Sequence, residues 1–209
     1  MASRPLDLRD AVLVLNSGGV LVLPTDTLPG FHCRVDAAEG IGRIAAIKGR
    51  SSGKPLLILA SDLTQATETL KPLSERQENL ARQCWPGPFT LVFPAADHVP
   101  AQVTAGTGTL GVRIPEHPEL QELIARCGCP LVSTSCNREG DAPCSTVEEA
   151  LEQFGGEVDG FWVSTGPSQT SLDAPRASAL VEATSWPFRL LREGPMPMPD
   201  PDSPARGRA

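Results

Sequence analysis

The sequence predicts one α/β domain built on a mixed sheet, followed by a tail. Three observations lead there. Short apolar runs bounded by Gly and Pro alternate with stretches of helical period along most of the chain. The apolar fraction of 40% and charged fraction of 21% are those of an ordinary globular protein. A length of 209 residues is enough for one core. Aromatics make up 4% and Tyr is absent, so that core must be mainly Leu, Val, Ile and Ala.

The elements follow in order. The first 17 residues read as a short helix ended by Gly18-Gly19. Val20–Leu23 is a buried strand stopped by Pro24. A helix over Ala38–Lys48 takes Asp36 as its cap. Leu56–Ala60 is the next apolar strand. Ser74 with Gln77 makes a capping box for a helix that runs to Cys84, where Trp85-Pro86-Gly87-Pro88 breaks it. Thr90–Phe93 and Leu110–Ile114 are rich in β-branched and apolar residues and read as strands. Leu120, Leu123, Ile124 and Cys127 have helical spacing, with His117 as a cap, Pro118 at the start and Gly128 past the end. Pro130–Thr134 is a buried strand. A helix opening on the capping box Ser145-Thr146-Val147-Glu148, with Ser145 as its cap, buries Val147, Ala150, Leu151 and Phe154 and stops at Gly155-Gly156. Strands recur at Phe161–Val163, Ser178–Val181 and Phe188–Leu191. The domain is therefore residues 1–194. Residues 195–209 hold five prolines and read as a disordered tail.

Composition excludes several classes. A net charge of −7 argues against broad nucleic-acid binding, though not against a local basic patch. The longest apolar runs are far too short to span a bilayer, and Met1–Asp10 is no signal peptide. No membrane partner is expected, and the cytoplasm is the default location. The six cysteines lack metal-ligand spacing, so neither zinc nor a disulfide framework is expected.

Three stretches carry candidate chemistry. Pro24-Thr25-Asp26-Thr27 follows a strand, where hydroxyls and a carboxylate can hold a polar ligand at a sheet's rim. Taken alone, a turn is the simpler reading. Gly40–Ser61 contains Arg43, Lys48, Arg50 and Lys54 and no acidic residue. Lys48-Gly49-Arg50-Ser51-Ser52-Gly53-Lys54 suits phosphate, although it is no Walker A loop, and it reads equally as a solvated basic loop. Leu131–Asn137 runs from a buried strand into Ser133, Thr134, Ser135 and Asn137. Hydroxyls there could meet a carboxylate or phosphate, or simply close the strand with a turn.

In combination these stretches resemble the YrdC family of threonylcarbamoyl-AMP synthases. Pro24–Thr27 resembles the family's PTDT motif, Lys48-x-Arg50 its KxR pair and Ser135-x-Asn137 its SxN pair. Trp85–Thr90, Gly111–Pro115 and Leu190–Gly194 also fit, so the resemblance runs from about Leu8 to Gly194. It implies a twisted α/β sheet enclosing a basic cleft. It implies that L-threonine, bicarbonate and ATP are joined into threonylcarbamoyl-AMP with release of pyrophosphate, a nucleotidyl transfer. Mg²⁺ would be carried mainly by the ATP phosphates. The product would pass to transfer proteins that modify tRNA. Lys48, Arg50, Ser135 and Asn137 would form the catalytic phosphate site. Lys54, Thr109 and Arg192 would be further ATP contacts. Thr27, Arg113, Ser133 and Ser178 would hold threonine, with Arg113 pairing its carboxylate.

Four positions depart from the family pattern: Pro29, Ser51, Cys136 and Glu139. They bear on activity more than on fold. The alternatives are a YrdC-like paralogue making another adenylate, or a module that binds tRNA or double-stranded RNA weakly through the same cleft.

Overall fold

A computed structural model describes residues 5–49, 53–162, 176–200 and 202–203. In these residues ten strands form one sheet, in the order β1-β8-β2-β3-β7-β4-β6-β5-β9-β10. The strands are β1 (Pro5–Leu6), β2 (Leu21–Leu23), β3 (Gly30–Arg34), β4 (Leu57–Leu59), β5 (Phe89–Pro94), β6 (Thr109–Arg113), β7 (Leu131–Ser135), β8 (Gly160–Trp162), β9 (Ala179–Glu182) and β10 (Arg189–Arg192). Parallel and antiparallel pairs are mixed: β4 runs parallel to β6, while β3 and β4 both flank β7 antiparallel. The helices are α1 (Leu8–Asn16), α2 (Ala38–Lys48), α3 (Leu63–Glu68), α4 (Glu75–Cys84), α5 (Ala101–Thr104), α6 (Pro118–Cys127) and α7 (Val147–Phe154).

Two apolar clusters cover the two faces of the sheet. On one face Val22, Phe31, Cys33, Ile58, Val112 and Val132 pack with Ile41, Ile44 and Ile47 of α2, Leu80 of α4 and Phe154 of α7. On the other, Leu21, Leu23, Leu59 and Leu131 pack with Ala11 and Leu15 of α1 and Leu120, Leu123 and Ile124 of α6. The strand period of two decides which residues share the second face. Leu131, Ser133 and Ser135 alternate with Val132 and Thr134 along β7, so the hydroxyls continue the apolar row. Ser133 sits opposite His32 on one side and Leu57 on the other, and Leu57 opposite Gly111. One cross-sheet row therefore changes from core to site without leaving the face.

Capping explains most helix limits. Ser74 and Gln77 form the predicted reciprocal capping box of α4. His117 caps α6, its Nδ1 accepting from the Leu120 N–H at 3.3 Å. Two expected caps are corrected. Asp36 does not cap α2: both its oxygens are taken by Arg34, at 2.9 and 2.7 Å, and Ala37 caps without a side-chain bond. The cap of α7 is Thr146, whose side chain accepts from the Glu149 N–H, so Ser145 lies one residue outside. Val147 and Leu151 are only half-buried there; Ala150 and Phe154 face the core.

Four elements escape the sequence reading: β1, β3, α3 and α5. The last two are short, with six and four residues. β3 alternates Gly30, His32 and Arg34 with only two apolar residues, Phe31 and Cys33, too few to stand out as a strand. Of the residues 195–209 that composition assigns to the tail, Asp200, Asp202 and Ser203 lie against α4. Asn79 and Gln83 both donate to the Ser203 carbonyl, at 2.8 and 2.9 Å, and Arg76 pairs with Asp202. Gly194 has a steric reason to be glycine: a Cβ there would stand 2.2 Å from the Ala179 nitrogen. Val163 and residues 204–209 lie outside the described residues.

Candidate active site

The Pro24–Thr27 segment leaves β2 and closes its own turn. Thr25 Oγ1 donates to the Leu28 carbonyl at 2.9 Å and accepts the Thr27 N–H at 3.0 Å. Turn and site readings thus coexist, because the turn aims Thr27 at a cavity. That cavity, about 240 Å³, is lined among the described residues by Thr27, Gly30, Leu57, Arg113, Ser133, Ser135, Ser178 and Arg192, with Leu28, Thr134, Pro143 and Ala177. It falls below the ~300–1,000 Å³ of sites for drug-sized ligands, and suits an amino acid better than a whole nucleotide.

Arg113 ends β6 in a buried position, and it forms an ion pair with Asp26. The other oxygen of Asp26 accepts the Glu116 N–H at 3.0 Å. Arg113 Nη2 reaches Thr25 Oγ1 at 3.4 Å, while its buried Nε has no partner among the described residues. A buried N–H without an acceptor costs about 1–3 kcal/mol. Arg192 converges from β10. Its Nε and Nη2 donate to the Ser178 carbonyl at 3.1 and 2.9 Å. Burial lowers the Arg192 pKa, and the nearby Arg113 charge adds to that lowering. Two guanidiniums lining one cavity favour an anion there. Ser178 is held by Thr90, their hydroxyl oxygens 2.8 Å apart.

Lys48 ends α2 and is buried, with 6% exposure. Its ammonium donates to the Ser135 carbonyl at 2.7 Å and to the Asn137 carbonyl and Oδ1, both at 3.0 Å. Ser135 Oγ in turn donates to Asn137 Oδ1 at 2.7 Å. The KxR and SxN motifs are thus joined by Lys48 itself, next to the cavity that Ser135 lines. Arg50 and Ser51 lie outside the described residues.

Two expected ATP contacts stand apart from the cavity. Lys54 pairs with Glu139, and Thr109 bonds Thr107, their hydroxyls 2.9 Å apart. Thr109 shares the face of Arg113 but lies four residues back along β6, roughly 13 Å away at ~3.3 Å per residue. Of the remaining basic window, Arg43 pairs with Asp159 at 2.6 Å. Glu139 therefore opposes a cation that the sequence pattern offers to phosphate. Glu139→Ser should lower the KM for ATP roughly two- to fivefold, since an exposed pair of this kind is worth about 1 kcal/mol or less. Steady-state kinetics with varied ATP measures it; an unchanged or raised KM would remove Lys54 from the ATP site.

Sequence reasoning missed His32 as a site component. It is fully buried, its Nδ1 2.8 Å from the Gly30 carbonyl and its Nε2 3.0 Å from Ser133 Oγ. Gly30 leaves room for the ring: a Cβ would meet His32 Cε1 at 2.9 Å. Burial lowers the His32 pKa from 6.5 to about 3, opposed by the Gly30 carbonyl and assisted by Arg113. The folded state therefore binds fewer protons than the unfolded chain below pH 6.5. Its stabilising share is complete above pH 6.5 and is lost as pH falls toward 3, by at most about 5 kcal/mol. Burial lowers the His117 pKa too, so it acts in the same direction. Urea midpoints at pH 7, 5 and 4 should fall less steeply for His32→Phe than for the wild type; parallel slopes would contradict this.

The cysteines Cys33, Cys84, Cys127, Cys129, Cys136 and Cys144 are all free thiols. Burial raises the Cys33 and Cys84 pKa values to about 12 and that of Cys127 to about 11. They are packing residues. No helix among the described residues is long and apolar enough to cross a membrane.

Comparison with known proteins agrees with this geometry. A sequence profile of the Sua5/YciO/YrdC family, described as "Telomere recombination", matches residues 13–194. A threonylcarbamoyl-AMP synthase from Enterobacter sp. (strain 638) is 40% identical over 162 residues, covering 75% of this chain and 82% of the relative. The crystal structure of P. abyssi Sua5 complexed with L-threonine superposes with a TM-score of 0.81 at 29% identity, over 90% of this chain and 54% of that one. This chain thus spans about half of that protein. E. coli YciO, at 24% identity and a TM-score of 0.78, covers 90% of this chain and 88% of its own, and shares the fold. With the profile covering most of its length and a 40% identical relative, the chain belongs to the Sua5/YciO/YrdC family.

Proposed function

We propose that this protein is a threonylcarbamoyl-AMP synthase, transferring AMP from ATP to the carbamate of L-threonine. The observation that carries the proposal is the convergence of Arg113 and Arg192 with the hydroxyls of Thr27, Ser133 and Ser178 on one amino-acid-sized cavity. Arg113 and Arg192 receive the threonine carboxylate. Thr27, Ser133 and Ser178 surround the rest of the amino acid.

The chemistry needs positioning more than a protein nucleophile. The amine of threonine adds to bicarbonate, forming an N–C bond and losing water. An oxygen of the resulting carbamate attacks the α-phosphorus of ATP, and the bond to pyrophosphate breaks. The negative charge that develops is met by the Lys48 ammonium and by Arg50, with Ser135 and Asn137 holding Lys48 in place. Lys48 acts here mainly as a fixed charge, because its three N–H bonds already meet protein oxygens. A cavity this small leaves the adenosine outside it, toward Thr109 and Lys54.

Mg²⁺, carried on the phosphates, would add neutralising charge. Asp26 is not placed to hold it, since Arg113 and the Glu116 N–H engage both its oxygens. The product is a mixed anhydride, suited to carbamoyl transfer onto tRNA adenosine by other proteins.

Isotope incorporation tests the proposal. With ¹³C-bicarbonate, ATP and L-threonine, the expected product is a threonylcarbamoyl adenylate one mass unit heavier. AMP or an adenylate without label would reject the reaction as written.

A further inference from the structure

We infer that His32 fixes the polarity of Ser133, so that Ser133 and Thr27 accept the N–H bonds of the substrate amine. This deepens the synthase reading and rests on it. His32 is a positioning residue, acting through Ser133.

The argument follows protons. The Gly30 carbonyl can only accept, so His32 Nδ1, 2.8 Å away, must carry the proton. The neutral ring then has a bare Nε2, which can only accept. Ser133 Oγ, 3.0 Å from it, must donate its single proton there. What Ser133 offers the cavity is therefore lone pairs. Thr27 is set the same way by a different route. Thr25 Oγ1 spends its proton on the Leu28 carbonyl at 2.9 Å, so across the 3.0 Å contact Thr27 Oγ1 is the donor. Both hydroxyls line one cavity with their protons committed to the protein. The charged donors in that cavity, among the described residues, are the guanidiniums, which suit a carboxylate; the acceptors suit a group with more than one proton to give. A neutral amine fits: two N–H bonds are held and the nitrogen lone pair stays free to attack bicarbonate. A side-chain hydroxyl has one proton and would use one acceptor.

Calorimetric binding of L-threonine and L-2-aminobutyrate, which keeps the amine and lacks the hydroxyl, tests this on the full chain. His32→Phe, Ser133→Ala and the double variant are compared with wild type, each checked for an intact thermal transition. Each single change should weaken both amino acids roughly tenfold, as expected for a lost bond to a polar or charged donor. The double variant should be no weaker than Ser133→Ala alone. The KM for ATP should not change, which general damage would not spare. Additive losses would overturn the role of His32, and a loss confined to L-threonine would replace the amine by the hydroxyl. A wild type that binds neither amino acid would overturn the synthase reading and this inference with it. A second measurement needs no variant at the site. ¹⁵N spectra of histidine-labelled protein should show His32 protonated at Nδ1 and bare at Nε2 at neutral pH. A proton on Nε2 would overturn the inference.

Discussion

Replacing Arg113 by leucine is expected to destabilise the protein by about 3–5 kcal/mol, because it strands a buried carboxylate. Arg113 and Asp26 have side chains only 4% and 5% exposed, so water cannot take over the lost partner. The second change Asp26→Leu should recover most of that stability, since an apolar pair of similar volume is often neutral in such a site. Activity should not recover. The double variant still lacks the guanidinium that we propose meets the substrate carboxylate, and its kcat/KM for threonine should stay at least about a hundredfold down. Urea unfolding and steady-state kinetics on the three proteins separate the two roles. A single variant as stable as wild type, or a stable double variant with normal turnover, would contradict the assignment.

Lys48→Ala is expected to reduce turnover about a thousandfold or more, the scale of losing fixed electrostatic stabilisation at a reacting phosphate. Three oxygens, on Ser135 and Asn137, would lose their donor together, so the strand end they form would also loosen. Lys48→Arg should rescue little. Three acceptors converge on a point charge, and a planar fork cannot satisfy them at the same distances. Near-normal activity in Lys48→Arg would mean that charge alone matters. Near-normal activity in Lys48→Ala would remove this residue from the reaction.

The sequence was most legible where a periodic pattern and a cap coincide. Ala38–Lys48, the Ser74 box and the Pro118–Cys127 helix with its His117 cap all match their expected limits closely. The same rule misplaced the caps at Asp36 and Ser145, because a better partner stood nearby: Arg34 for the first, and a Thr146 one residue closer for the second. β3 was invisible for a different reason. Phe31 and Cys33 do alternate with Gly30, His32 and Arg34, but two apolar residues are too short a pattern to mark a strand. Motif order pointed to Thr27, Arg113, Ser133, Ser135, Ser178 and Arg192, which the fold does bring around one cavity. It gave no hint that Arg113 is tied to Asp26, that Lys48 is the brace between two motifs, or that His32 underlies Ser133. Those are cross-strand and loop contacts between residues about 87 to 101 positions apart. Local pattern carries no information at that range. Lys54 and Thr109 were drawn in by charge and by motif position, and the structure holds both outside the cavity.

Pyrophosphate release from ATP with bicarbonate, measured with and without L-threonine and with L-serine and L-valine as controls, tests the central claim most directly. The account predicts release that depends on L-threonine and is weaker with serine and with valine. Folded protein that binds ATP yet releases no pyrophosphate with any amino acid would contradict it.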